Sequence, residues 1–316
     1  MTYILLTIGL ALLAWGGDTL VDGAVCLARR LGVSTLLIGL TLVGFGTSCP
    51  ELVSSLIAVF HGAPGIAVGN VVGSNIANIL LVLGVAALIA PVPVDTKAFK
   101  RDGTFLMAAT ILLIAAIFAG QINRAFAVAL VGTLVGYVVV SYISDRRATR
   151  DKAATTSDDE DDNTNTSVWM ALVKTIGGIA LTILGARLLV DNAILLARDW
   201  GVSESVIGLT VVAIGTSLPE LATSVMSSVR KHNEVAFGGV VGSNIYNALF
   251  ILGATALFAP VTVPAGLRLD AIIMLMVTVA LVLIALWRRC FSRWIGVLFL
   301  GAYAIYTIYL YMMPMA

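Results

Sequence analysis

The stretch Gly39-Leu-Thr-Leu-Val-Gly-Phe-Gly-Thr-Ser-Cys-Pro-Glu-Leu-Val-Ser54 returns 169 residues later as Gly208-Leu-Thr-Val-Val-Ala-Ile-Gly-Thr-Ser-Leu-Pro-Glu-Leu-Ala-Thr223, without a gap and with ten of 16 positions identical. Both copies contain Gly-Thr-Ser-x-Pro-Glu, ending at Glu51 and at Glu220. Working outward, Val71–Asn78 lies over Val240–Asn247 with seven of eight positions shared, and Ala90-Pro-Val92 lies over Ala259-Pro-Val261. Towards the N-terminus, Asp22 lies over Asp191, Arg29 over Arg198 and Gly32-Val-Ser34 over Gly201-Val-Ser203. Similarity at one fixed offset over this length marks a duplicated structural unit.

Composition gives the medium in which that unit folds. Of 316 residues, 59% are apolar and 12% charged, and the mean hydropathy is +1.01. A soluble domain must cover its surface with charge, whereas here apolar runs of about 20 residues, enough to cross ~30 Å of hydrocarbon, recur along the chain. Windows of that length place ten spans at about 2–27, 34–60, 66–90, 103–120, 124–143, 168–197, 204–229, 235–258, 268–287 and 294–313. Lipid offers backbone polar groups no partner, and long apolar runs without period-two alternation suit helices better than the ~10-residue strands of a barrel. The expected fold is an all-α membrane protein of about ten transmembrane helices. Five spans separate equivalent points of the two copies, and an odd number reverses direction. The two five-helix repeats, 1–144 and 168–316, are therefore expected to have inverted topology.

Alternate assignment of the loops puts 15 of the 19 Lys and Arg residues on one side, which the positive-inside rule makes cytoplasmic, with both termini outside. The expected location is the cell membrane, with multiple passes. The first span begins without a basic stretch and is too long for a signal-peptide core, so it is read as retained. Between the halves, 145–167 combines Arg146-Arg-Ala-Thr-Arg150 with Asp158-Asp-Glu-Asp-Asp162 among Thr, Ser and Asn, a composition expected to give a disordered, cytoplasmic, acidic linker. Its carboxylates lack the spacing and turn glycine of a calcium loop. Cys26, Cys49 and Cys290 are scattered and read as small apolar residues.

An ionisable group deep in a bilayer is expensive, so Glu51 and Glu220, near the centres of the second and seventh spans, are the strongest functional signal. Four residues separate Thr47 from Glu51, placing both on one helix face with Ser48 beside them; Thr216, Ser217 and Glu220 repeat the pattern. Pro50 and the hexad glycines loosen the turn, and spacing makes the carbonyls of Gly44 and Ala213 further candidate ligands. Broken helices at matching places in two halves point to a transporter's midplane site. In the third and eighth spans Ser74 and Asn78, and Ser243 and Asn247, are again four apart. Carboxylates, amides, hydroxyls and carbonyls without Cys or His form the ligand set of a hard cation such as Ca2+ or Na+. Two buried carboxylates repel each other unless one divalent ion or several Na+ ions neutralise both, so the two ions compete for one charge.

Singly, Ser54, Ser55, Ser224, Ser227 and Ser228 read as packing residues, while Asn75 and Asn244 stand open between packing and ligation. Asp18, Asp22 and Asp191 read as structural or helix-end acids, with Asp18 opposite Arg187 in the repeat alignment and expected to pair across it. His61 and His232 sit in short loops as solvated turn residues.

Gly-Thr-Ser-x-Pro-Glu followed by Gly-Asn-x-x-Gly-Ser-Asn-Ile-x-Asn, in two copies, resembles the α-repeats of the cation/calcium exchanger superfamily, and its sodium/calcium exchanger branch in particular. The resemblance covers both repeats and implies a ten-helix antiporter. Its ion sites would lie between the second, third, seventh and eighth helices, reached alternately from either side as the first and sixth slide. It implies ligand roles for Thr47, Ser48, Glu51, Ser74 and Asn78, for Thr216, Ser217, Glu220 and Ser243, and for the carbonyls of Gly44 and Ala213. Asn247 stands where some relatives, including potassium-dependent ones, carry Asp, which makes potassium coupling unexpected. Gly69-Asn70 becomes Gly238-Gly239 in the second half, a change placed outside the ligand set. The long regulatory domain of some relatives is absent.

The expected function is exchange of Na+ for Ca2+ by alternating access, with these ions and the lipid bilayer as partners, no cofactor, no nucleic acid and no obligatory protein partner. A cation/proton antiporter of the same superfamily is the alternative, although such relatives show Gly-Asn-x-x-Glu in place of the hexad. A channel fits less well, because no filter-like run of carbonyls accompanies the broken helices. An enzyme is not expected, since no nucleophile–base pair accompanies the carboxylates.

Overall fold

In the computed structural model, which describes residues 1–155, 167–200 and 215–312, every apolar run within those limits is helical. The helices are α1 (Thr2–Leu31), α2 (Thr35–Phe60), α3 (Pro64–Ile89), α4 (Thr96–Ala119), α5 (Arg124–Thr155), α6 (Val168–Asp199), α7 (Leu218–Val229), α8 (Asn233–Phe258), α9 (Arg268–Trp287) and α10 (Arg293–Met312). Nine spans among the described residues are long and apolar enough to cross a membrane; the span read at 204–229 is described only from Gly215 onward. Helix ends follow local chemistry. Gly32, at φ 63°, closes α1 by donating to the carbonyls of Ala28 and Arg29. Asp95 opens α4 by accepting from the amides of Lys97 and Ala98.

α5 departs from expectation by running on to Thr155, well into the segment read as disordered linker. Ala, Arg and Lys dominate 146–154, and these are good helix formers that extend a helix already nucleated by its apolar part. The acidic run 158–162 lies outside the described residues.

Small residues let the helices approach closely. α1 and α6 pack antiparallel: a Cβ at Gly16 would lie 2.7 Å from the Thr182 amide nitrogen, and one at Gly185 would lie 2.7 Å from that of Leu13. Thr182 is the counterpart of Leu13, and Gly185 of Gly16, so equivalent residues exchange partners across this contact. Buried most deeply are α8 and α3, with 94% and 72% of their apolar windows covered, against 11% for α10.

Two short strand pairs, not anticipated in an all-α reading, stitch loops of one half to loops of the other. β1 (Val92–Pro93) pairs antiparallel with β4 (Cys290–Phe291), and β2 (Gln121–Ile122) with β3 (Val261–Thr262). The offset of 169 turns one pair into the other. It also turns the bond from the Val94 amide to the Arg289 carbonyl into that from Val263 to Gly120. Backbone bonds need no particular side chain, which is why two-residue clips leave no pattern in the sequence.

One expected ion pair does not form. Asp18 pairs with Arg230 beyond the end of α7, and Asp22 with Lys174 at 2.7 Å and with Arg230 at 3.7 Å, while Arg187 pairs with Asp191 within α6 at 3.7 Å. In antiparallel packing of α1 on α6, Asp18 and Arg187 fall at different heights, so neither meets the other.

α2 crosses α8 at Gly242, where a Cβ would sit 2.2 Å from the Leu40 carbonyl oxygen. A Gly242→Ala change must displace backbone and is expected to lower stability by about 1–3 kcal/mol or more, seen as a reduced Tm of the purified protein. Gly132→Ala, whose added methyl would meet no atom within 4 Å, is expected to leave Tm unchanged or slightly raised.

Candidate cation site

Both hexads break their helices at the same residue. Ser48 (φ −82°, ψ 4°) and Ser217 (φ −89°, ψ 6°) leave helical geometry, and the chain resumes its helix with Pro50 or Pro219 in the first turn. Proline is tolerated there because the first amides of a helix have no intrahelical acceptor. The restart puts Glu51 and Glu220 in the first turns of their half-helices, where the positive end of the backbone dipole favours an anion. α3 and α8 meet them with a second irregularity. Each widens into one π-turn, beginning at Asn78 and at Asn247 respectively. Such turns are frequent at functional sites and carry no signature in the sequence.

The side chains so placed are buried: Glu51 is 1% exposed and Glu220 5%. Thr47, Ser48, Ser74, Asn78, Ser217, Ser243 and Asn247 are buried with them. Contacts join the halves directly. The Ser48 hydroxyl donates to Glu220 Oε1 at 3.4 Å, the Thr47 and Ser243 hydroxyls lie 3.5 Å apart, and the Ser243 hydroxyl donates to the Gly44 carbonyl at 3.3 Å. Gly44 is at the site because it packs on α8, where a Cβ would lie 2.9 Å from the Ser243 amide nitrogen. Its carbonyl also accepts the Ser48 amide at 3.3 Å. Ser74 is buried one turn before Asn78. Thr216 is half-buried beside Ser217 and is not drawn into these contacts, and Ala213 lies outside the described residues.

Five buried oxygens here have no hydrogen-bond partner among the described residues: Glu51 Oε2, Glu220 Oε2, Ser217 Oγ, Asn78 Oδ1 and Asn247 Oδ1. Four of them, on ionised glutamates and asparagines, can only accept. None of the ion pairs among the described residues involves either glutamate. Buried acceptors left unsatisfied create a demand that a hard cation meets, through oxygen ligands and positive charge together. No cluster of three His, Cys, Asp or Glu residues occurs among the described residues. The donor set therefore suits a cation held by mixed carboxylate, amide and hydroxyl oxygens.

Two sets of polar residues outside the expected ligand set also belong to this region. Asn75 and Asn244, open on sequence, bond to one another's helices and to the site asparagines. Asn70, placed outside the ligand set on sequence, donates to the Glu51 carbonyl at 3.2 Å and to Ser55 Oγ at 3.1 Å. The signal for Asn70 is its spacing: with Ser74 and Asn78 it forms a polar row at intervals of four along one face of α3.

Known proteins resemble this chain over most of its length. The family model described as "Sodium/calcium exchanger protein" matches residues 1–143 and 170–312, two stretches that begin 169 residues apart. The putative antiporter CaxA of Alkalimonas amylolytica is 37% identical over 284 residues, covering 90% of this chain and 89% of its own. The sodium/calcium exchanger MaX1 of Methanosarcina acetivorans is 33% identical, over 98% of this chain and 99% of its own. A solved structure of the sodium-calcium exchanger NCX_Mj, soaked with zero Na+ and Ca2+, matches 98% of both chains at 33% identity and a TM-score of 0.81. With both halves matched, and with relatives aligned along nearly its whole length, this multi-pass membrane chain belongs to the sodium/calcium exchanger family of antiporters.

Proposed function

We propose that the protein exchanges Na+ for Ca2+ across the cell membrane by alternating access, with Glu51 and Glu220 as the charged ligands. Thr47, Ser48, Ser74, Asn78, Thr216, Ser217, Ser243, Asn247 and the carbonyls of Gly44 and Ala213 complete the ligand set. The observation that carries this reading is the group of five buried oxygens around two glutamates that have, among the described residues, neither a hydrogen-bond partner at those oxygens nor a basic partner. Empty and ionised, the site would hold two negative charges in a medium where each is costly, so a loaded carrier crosses between its two states more easily than an empty one. One Ca2+ neutralises both carboxylates, and Na+ ions do the same in its place, which makes the ions mutually exclusive. With Asn at 247 the site has no third carboxylate, and exchange is independent of K+. The names of MaX1 and of NCX_Mj, each aligned over nearly the whole chain, support Na+ as the counter-ion.

The two halves, 1–144 and 168–316, are proposed to be inverted repeats joined on the cytoplasmic side by 145–167, with both termini outside. The reciprocal contacts of α1 with α6 and of the strand pairs support this reading, since equivalent residues exchange partners across both.

Purified protein in vesicles loaded with Na+ is expected to accumulate Ca2+ when external Na+ is removed, and Glu51→Gln or Glu220→Gln to reduce that uptake at least 100-fold. Uptake that follows a pH gradient and ignores Na+ would replace Na+ with H+ as the coupling ion. Undiminished exchange in both variants would remove the glutamates from the site.

Sidedness is checked separately in a background lacking Cys26, Cys49 and Cys290. An impermeant maleimide is expected to label His61→Cys from the outside and Lys231→Cys from the inside. Labelling of both from one side would overturn the inverted arrangement.

A further inference from the structure

A carboxamide has two ends alike in shape and opposite in chemistry: Oδ1 can ligate a cation and Nδ2 cannot. Asn78 and Asn247 therefore serve a cation only if each is held the right way round. The neighbouring turn of each helix decides this. Asn75 Nδ2 donates to the main-chain carbonyl of Asn244 at 3.4 Å, and Asn244 Nδ2 donates to that of Asn75 at 3.3 Å. A main-chain carbonyl can only accept, so these two contacts fix the orientation of Asn75 and Asn244. Their Oδ1 atoms then face the site asparagines. Asn78 Nδ2 donates to Asn244 Oδ1 at 3.1 Å, and Asn247 Nδ2 donates to Asn75 Oδ1 at 3.0 Å. What remains is Asn78 Oδ1 and Asn247 Oδ1, both buried and unpartnered. All four residues are 0–2% exposed, so solvent offers no alternative partner.

We propose that Asn75 and Asn244 are positioning residues of the cation site, forming a crossed amide clasp between α3 and α8 that holds Asn78 and Asn247 with their oxygens free for the ion. Turning any one member sets N–H against N–H or oxygen against oxygen, so the four amides hold one another in a single arrangement. The clasp sits where both helices widen into π-turns, and it therefore also fixes α3 and α8 to each other at the level of the ion. This inference rests on the proposed cation site and adds to it two residues that touch no ion.

The test exploits the fact that a carboxylate presents oxygen at either end and needs no orienting. Ca2+ uptake by vesicles, and Ca2+-induced thermal stabilisation of purified protein, are measured for wild type, Asn75→Ala and Asn244→Ala. Each single variant is expected to need about 10- to 100-fold more Ca2+ for half-saturation. Asn247→Asp is then expected to strengthen Ca2+ binding in the Asn75→Ala background. In the wild type it is expected to weaken binding, because there its carboxylate faces Asn75 Oδ1. Asn78→Asp tests the other arm in the Asn244→Ala background. Unchanged half-saturation in both alanine variants overturns the clasp, as does an equal effect of the Asp substitutions in both backgrounds. A wild-type protein that neither transports nor binds Ca2+ would instead overturn the exchange reading.

Discussion

Two glutamates buried without a basic partner among the described residues are the constraint on which the rest of the molecule depends. Removing an isolated carboxylate from water costs several kcal/mol even after the protein relaxes, and here two are buried in one region. The protein lowers that cost only in part. Half-helix N-termini point their dipoles at the acids, and the Ser48 hydroxyl donates to one oxygen of Glu220, yet an oxygen of each carboxylate stays unpartnered. A structural core would not keep such a deficit, because an apolar replacement of similar volume would be more stable. In the proposed mechanism a mobile cation fills the deficit, and the deficit couples conformation to occupancy. Close packing follows from the same need. α2 can bring its broken turn against α8 only because Gly44 and Gly242 let the two backbones touch.

Much of this is readable in the sequence, for identifiable reasons. Spans follow from hydropathy because lipid enforces internal backbone bonding, and most of the described helices fall within a few residues of the apolar runs that announce them. The hexads are readable because Pro after Ser-x breaks a helix by covalent geometry and because carboxylates in apolar runs are rare. Reciprocal backbone contacts, by contrast, have no code. The strand clips at Val92 and Val261 use main-chain atoms, and the π-turns at Asn78 and Asn247 depend on what packs beside them. The pairing of Asp18 with Arg230 requires the vertical register of α1 against its neighbours, which sequence offset alone does not supply. α5 overruns its apolar stretch because helix propensity, not hydrophobicity, decides where an exposed helix ends.

The most instructive difference concerns Asn75 and Asn244. On sequence they are indistinguishable from ligands: same residue type, same helices, same duplication. Geometry separates the roles by counting donors and acceptors. Asn78 and Asn247 each end with a free oxygen, whereas Asn75 and Asn244 spend both ends of their amides on protein atoms. Duplication thus marks ligand candidates and these two supporting asparagines alike, and only the hydrogen-bond inventory tells one from the other.

Departures from the repeat carry information of a different kind. The oxygens facing the site are nearly the same in both halves, but the flanks are not. Asn70 braces the Glu51 turn where the other half has Gly239, and buried Ser227 and Ser228 on α7 correspond to Ala58 and Val59 on α2. Asp18 and Asp22 tie α1 to Arg230 and Lys174, whereas the corresponding acid of α6, Asp191, pairs within its own helix. A carrier that presents one ion to two different solutions requires equal ligands in both states and has no such requirement on the walls that seal them. Selection on affinity therefore acts on both copies alike, while the sealing contacts on each side are free to diverge. In this chain the oxygens around the two glutamates match between the halves, while Asn70, Ser227, Ser228 and the ion pairs of Asp18 and Asp22 have no such match.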